Sequence, residues 1–387
     1  MNISNGNSTA RMVDYDIHGV VGVRLVNPSE RDAAAVVGQL GPAHAPLRRE
    51  PDIVIYFREK LPTPGLIFLG LNSAGYNDEG FYILRSSKAD CKARIPFQDI
   101  GRKKLEIVCE SGLRSVPLLI ALVNLTFLSK RYLPLHASAF LYNGVANMVT
   151  GWAKGGKTEG LLAFANHGAA YIADEWTIIA EGGDECFGIA EPIRLWDWQF
   201  RHIPHVQDKI SRQKKLLFKS IHTMDALGRG LGKSPLRKSF PVKVLSEALP
   251  AFKRQLNVRL QPNDIFQERF CKSAPIDKIF LIMSHDDASI TVEPYAAEAI
   301  AEQMISSNQY ELMPFLEHYR AFTFAFPELR NPFLDSMTEL QSELLVKAFA
   351  GREAYRVLHP YPVAFEALYT AMKPYCESKA AVGEGSK

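Results

Sequence analysis

The chain has 387 residues, 47% of them hydrophobic and 22% charged, with a formal charge of +3. That length and apolar share are enough for a sizeable core in two or three folded units, and they exclude wholesale disorder, collagen and a mucin-like stalk. So small a net charge marks neither a nucleic-acid nor a membrane protein by its overall field, and any basic surface must be local.

The first ten residues, Met1 to Ala10, are polar and lack the apolar stretch of a secretory signal, so they read as a disordered tail. Residues 11–129 read as an N-terminal α+β domain. Short β-type runs at Val20 to Val26, Ile53 to Phe57, Gly80 to Leu84 and Leu105 to Cys109 alternate with loops rich in Pro and Gly. Val116 to Leu128 is the longest apolar stretch and too short to cross a bilayer. Ser115 as N-cap and Pro117 in the first turn predict a buried helix there. The five cysteines, Cys91, Cys109, Cys186, Cys271 and Cys376, form neither a disulfide framework nor a zinc ribbon, which points to the reduced cytoplasm.

Leu135 to Tyr142 and Val145 to Thr150 predict a hairpin about the Asn143-Gly144 turn. A glycine-rich loop follows, then helical spacing from Thr158 to Asn166 with a stop at His167-Gly168, then an apolar strand from Ala169 to Ala173 closing on Asp174-Glu175. Trp176 to Ala180 and Glu185 to Ala190 flank a Gly182-Gly183 turn. From Lys209 to Arg259 thirteen Lys or Arg face two acids, Asp225 and Glu247, and the glycines at 228, 230 and 232 suggest a mobile basic excursion. Lys278 to Met283 and Ala288 to Val292 suggest a further hairpin around His285-Asp286-Asp287. Helical patterns dominate Ala296 to Met372, with interruptions near Phe326-Pro327 and from Tyr355 to Pro362.

Gly151-Trp152-Ala153-Lys154-Gly155-Gly156-Lys157-Thr158 fills every fixed position of G-x-x-x-x-G-K-[ST] between a predicted strand and a predicted helix. Glycines let a backbone turn its N–H groups toward phosphate oxygens, and the positive end of the following helix adds attraction. Lys157 then supplies a point charge for the β- and γ-phosphates of ATP, the Thr158 hydroxyl a ligand for Mg²⁺, and Glu159 completes the nucleotide-binding stretch. The plain alternative is a glycine-rich turn with an incidental Lys-Thr pair. Asp174-Glu175 ends the strand where an α/β sheet brings its carboxyl edge to a ligand. One carboxylate can help hold Mg²⁺ and the other can take the proton of an attacking hydroxyl. A solvated acidic pair is the competing reading. His136, in Leu135-His-Ala-Ser-Ala139, lies near the same rim, although alone such a histidine is more often a structural hydrogen-bonding residue.

The stretch Leu135 to Ala180 resembles the HPr kinase/phosphorylase family and its HPr-kinase-like relatives, which are related in fold to phosphoenolpyruvate carboxykinases. The resemblance rests on the His-bearing strand, the hairpin turn, the loop Gly151 to Thr158, and the helix and strand closing on two acids. It implies an α/β fold with a P-loop, HPr-kinase-like core and a mixed sheet, which we place over 130–300; the residue patterns add a strand-rich N-terminal domain and a helical C-terminal extension over 301–387. It further implies that Lys157 and the loop amides bind ATP, that Thr158 with Asp174 or Glu175 binds Mg²⁺, and that Asp174 is the base toward a serine hydroxyl with His136 assisting. The chain departs from the family in Ala153-Lys154 where Ser-Gly is usual, in Glu175 where a second Asp is usual, and in lacking a glycine-rich signature after the acids. Accessory kinases of peptide natural-product clusters, including lasso-peptide kinases, are therefore the nearer analogy. HPr-kinase relatives form hexamers, so a homo-oligomer is one expectation.

Arg194, in Glu191-Pro-Ile-Arg-Leu-Trp196, could stabilise a transferred phosphoryl group or could be a surface residue of an aromatic packing segment. His202 and His205 lack the pattern of a zinc site. The basic run reads first as a solvated surface, then as a dock for an acidic protein or leader peptide, with RNA last. The expected activity is transfer of the ATP γ-phosphoryl group to a Ser hydroxyl of a peptide or protein in the cytoplasm, with no membrane partner. A small-molecule kinase and a non-catalytic nucleotide-binding module are the rivals.

Overall fold

The computed structural model describes residues 11–42, 46–70, 72–85, 90–232 and 240–377, so the expected tail lies outside the described residues. The chain is mixed α/β. β1 (Met12–Ile17), β2 (Val21–Val26), α1 (Glu30–Leu40), β3 (Ile53–Arg58), β4 (Ile67–Leu69), β5 (Ala74–Asn77), β6 (Gly80–Arg85), β7 (Asp90–Arg94) and β8 (Leu105–Glu110) form the N-terminal part. Their strands make one mixed sheet in the order β1-β2-β3-β8-β7-β6-β5-β4. All four runs expected from the sequence are strands in it. The sequence reading did not name α1, which starts on a capping box between Ser29 and Asp32.

The buried helix is α2 (Leu119–Ser129), and it begins later than expected. Leu118, with φ of +58°, breaks the helical path after Pro117, so Ser115 does not cap it and Pro117 stands outside it. The chain continues through β9 (Leu133–Leu135), β10 (Ala137–Tyr142), β11 (Val145–Thr150), α3 (Lys157–Ala165), β12 (Ala170–Ala173), β13 (Thr177–Ile179), β14 (Cys186–Gly188) and β15 (Ile193–Trp196). β10 and β11 pair antiparallel about Asn143 and Gly144, both left-handed with φ of +48° and +80°, as a tight primed turn requires. β13 pairs antiparallel with β14 across Gly182-Gly183.

The basic stretch folds into α4 (Arg212–Gly232) and α5 (Phe240–Lys253), which pack together, followed by β16 (Asn257–Leu260) paired to β15. Helical pairing rather than a loose excursion thus holds most of it; residues 233–239 lie outside the described residues. After α6 (Pro262–Phe266) come β17 (Lys278–His285), β18 (Thr291–Pro294), α7 (Ala297–Glu311), α8 (Met313–Ala325), α9 (Pro332–Asp335), α10 (Met337–Phe349), β19 (Glu353–Pro360) and α11 (Phe365–Cys376).

The central sheet runs β12-β10-β11-β17-β19-β18. β17 and β18 are not a hairpin, because β19 lies between them, parallel to β17 over eight residue pairs and antiparallel to β18. Residues 301–387, expected as a helical extension, therefore also supply a central strand. Successive side chains of a strand face opposite sides, and here both sides are buried. Ile279 and Leu281 join a core that also contains Val23, Ile55 and Leu122 of the N-terminal part and Met304 of α7. Phe280 and Ile282 join a second core with Phe164 of α3 and Leu368 of α11. The N-terminal part thus shares its core with the central sheet. No helix among the described residues is long and apolar enough to cross a membrane.

Asn331 stitches the C-terminal helices to the N-terminal part. Its fully buried amide donates to the carbonyls of Phe97 and Ile100 at 2.9 and 2.8 Å, and its Oδ1 caps α9 by accepting from the Phe333 N–H. Replacing it with Ala takes a donor from two carbonyls, leaving Phe97 only the long bond from the Ile100 N–H, and removes the cap. Urea unfolding of Asn331→Ala is expected to show a loss of about 3 kcal/mol. A loss below about 0.5 kcal/mol would contradict this stitch.

Candidate functional site

β11 is an interior strand, so the loop after Thr150 leaves the middle of the sheet. β12, antiparallel to β10 like β11, ends at the same edge and delivers Asp174 there. The loop 151–156 is pressed against its neighbours. A Cβ on Gly151, whose φ is +153°, would lie 2.4 Å from the Ile282 carbonyl oxygen, and one on Gly156, at φ of +111°, would lie 2.2 Å from Nε2 of His359. That same nitrogen is 3.0 Å from the Gly155 carbonyl. The glycines are thus imposed by β17 and β19, before any ligand is considered. Lys154 takes φ of +63° in this loop, the left-handed region that favours glycine.

Lys157 opens α3 and is only 6% exposed. Its ammonium donates to the carbonyls of Trp152 at 2.9 Å and Gly151 at 3.2 Å, and the Gly151 oxygen also accepts from Ser307 of α7. Among the described residues no carboxylate lies within ion-pair distance of it. An ammonium has three donors, and burial without a counter-ion is costly. Burial accordingly depresses the Lys157 pKa, against the more distant pull of Glu311, Glu175 and Asp174.

Asp174, 2% exposed, accepts from the Ser138 hydroxyl at 2.6 Å and from the Thr158 hydroxyl at 3.1 Å. Burial, then repulsion from Glu175, raises its pKa to about 7, in spite of both hydroxyls. The next residue turns the other way. Trp176 N–H donates to the Asp174 carbonyl at 2.8 Å, closing a three-residue turn with Glu175 at φ of +64°. The Glu175 carboxylate thereby reaches Nε2 of His136 at 3.2 Å, and this contact leads its pKa downward. Nδ1 of His136 lies 2.7 Å from Glu311 of α7, an ion-pair distance without hydrogen-bond alignment. Burial opposes the imidazolium, but the two carboxylates prevail and the His136 pKa is raised. Trp176 stacks on its ring.

The expected residues therefore fall into distinct places. Lys157, Thr158 and Asp174 converge, and Glu175 and His136 form an adjoining pair. Ala153 and Lys154 are on the outer loop, and Trp152 is exposed with its ring 4.8 Å from that of Tyr310. Glu159 points elsewhere: its buried carboxylate accepts from Gln199 at 2.9 Å. Arg194 is exposed on β15 and lines a cleft together with Glu175. Sequence reasoning assigned no role to Ser138, Ser307, Glu311 or His359. Only Ser138 carried a signal, as the one small hydroxyl in the strand Ala137–Tyr142.

No protein-family model matches this chain, and no curated protein matches it. Among the described residues no cluster of three or more His, Cys, Asp or Glu is placed to hold a metal. The donor set beside Lys157 is one carboxylate and two hydroxyls. This suits a hard cation such as Mg²⁺, which takes few protein oxygens and completes its shell with water and phosphate. Glu175 is turned to His136 and stands outside that set.

A carboxyl whose folded pKa exceeds its unfolded value destabilises the fold as pH rises through the gap between the two. Asp174→Asn keeps an acceptor for Ser138 and Thr158 and cannot ionise. Thermal unfolding is expected to show the variant gaining on the parent between pH 4 and 7, up to about 4 kcal/mol. Parallel pH profiles of the two proteins would contradict the raised pKa.

Proposed function

We propose that this chain is an ATP- and Mg²⁺-dependent kinase with a P-loop, HPr-kinase-like core, acting on a Ser hydroxyl of a peptide or protein. The observation that carries the reading is the buried Lys157 ammonium, which has no carboxylate partner among the described residues and stands beside a buried acid at the first turn of α3. A helix start leaves N–H groups without intrahelical acceptors, and together with the lysine they suit a phosphate.

In this reading Lys157 and the loop amides 151–156 bind the ATP phosphates and balance the charge that builds in the transition state. Thr158, Asp174 and Ser138 supply the protein oxygens for Mg²⁺, which when bound neutralises phosphate charge. The acceptor oxygen attacks the γ-phosphorus and its bond to the β–γ bridging oxygen breaks. The hydroxyl proton passes to Asp174, and ADP departs. A carboxylate with a pKa near 7 is a stronger base than an ordinary aspartate and is about half ionised at neutral pH. His136, held by Glu175 and Glu311, fixes the carboxylate next to Asp174. Arg194 borders the same opening.

Incubation with γ-labelled ATP, Mg²⁺ and Ser-containing peptides tests the proposal. Label is expected in the peptide. Lys157→Ala is expected to lower transfer at least a hundredfold while remaining folded, as a cooperative thermal transition checks. Full activity in that variant would refute the assignment, and nucleotide binding without transfer to any acceptor would make the site a sensor.

A further inference from the structure

β15 and β16 form a two-stranded ribbon whose inner face is buried through Ile193, Leu195 and Leu260. On its outer face Arg194 and Arg259 stand directly opposite each other, both exposed. Like charges across an antiparallel pair repel, so this arrangement costs stability. Among the described residues neither guanidinium has a carboxylate within ion-pair distance. Both line a cleft of 420 Å³ whose other walls are Leu118 and Ile120 of the N-terminal part, Phe315 of α8, and Glu175. The cleft therefore opens beside the acid that neighbours Asp174.

On the α4 side of the ribbon cations outnumber acids. Asp225, one of two acids among the thirteen basic residues of 209–259, is already shared by Lys253 at 2.7 Å and Arg229 at 3.2 Å. Lys214 of α4 donates to the carbonyl of Asn257, the first residue of β16, so the basic helix abuts the arginine pair. The acids lining the cleft are Glu175 and Glu311, which flank His136, with Glu191 and Glu317. Glu191 already has a partner, and Glu317 is exposed on the opposite wall.

We infer that Arg194 and Arg259 together form an anion subsite for the acceptor, which is an acidic peptide segment carrying Asp or Glu close to its reactive hydroxyl. Two guanidinium groups on one rigid ribbon can grip a carboxylate from both sides, relieving the repulsion between them. The apolar wall at Leu118 and Ile120 takes the neighbouring part of the segment, and α4 extends the attraction along its length. This rests on the kinase reading for the hydroxyl, and it adds Arg259, which that reading does not use.

Fluorescence anisotropy with labelled Ser peptides tests the subsite directly, using the full chain with MgADP. One peptide has Glu flanking the Ser, a second Gln and a third Lys. The Glu peptide is expected to bind at least tenfold tighter than the Gln peptide, with a preference that shrinks in 0.5 M salt. Arg259→Glu is expected to abolish that preference and to favour the Lys peptide. Arg259→Gln gives a second variant should the first fail to fold. Equal affinity for the Glu and Gln peptides, or an unchanged preference in a folded Arg259 variant, would overturn the proposal. Phosphoryl transfer that ignores both the flanking acids and Arg259 would keep the kinase and remove the subsite. Arg259-dependent binding of the Glu peptide without transfer would keep the subsite and remove the kinase.

Discussion

The buried ammonium of Lys157, resting on the carbonyls of Gly151 and Trp152, is the constraint on which the rest of this structure depends. A cation in that position needs strong acceptors close by, and the chain supplies them by folding a loop back over its own lysine. The loop can be so tight only because two distant strands clamp it. Ile282 of β17 leaves no space for a side chain at Gly151, and His359, 204 positions beyond Gly155, leaves none at Gly156. The strand that supplies His359 is itself buried between β17 and β18. The order of the central sheet and the shape of the loop are therefore one problem, solved together.

The paired acids illustrate how a short turn divides labour between neighbours. Two adjacent carboxylates repel, yet the positive φ of Glu175 sends one inward to hydroxyls and the other outward to an imidazole. Their environments push the pKa values in opposite directions, Asp174 up by burial and Glu175 down by His136. On the proposed reading, this separation gives a base beside the phosphate cradle and an anchor that keeps the rim fixed. Pairs of titratable groups driven apart in this way are a recurrent mark of acid–base sites. α7 contributes to both halves, through Ser307 on the loop carbonyl and Glu311 on His136.

The features legible in the sequence were those written in local chemistry. Asn143-Gly144 dictates its hairpin, the glycine pattern announces a loop between β11 and α3, and Asp174-Glu175 closes β12 where the spacing placed it. Features set by long-range partners were hidden. Nothing near His285 reveals that β19 comes between β17 and β18, because that strand begins only at Glu353, far along the chain. Glu159 looked like part of the loop's chemistry, but Gln199, forty positions away, claims its carboxylate. The glycines of the basic stretch suggested mobility, yet α4 runs through all three of them and pairs with α5, so tertiary context overrode that propensity. The cross-strand meeting of Arg194 and Arg259 joins residues 65 positions apart, beyond any local pattern.

Calorimetric titration of the purified chain with MgATP tests the central claim most directly. The account predicts saturable heat at a single site in the parent protein, and affinity at least tenfold weaker when the Lys157 side chain is truncated to Ala. Absence of heat with the parent, or equal affinity in both proteins, would contradict it.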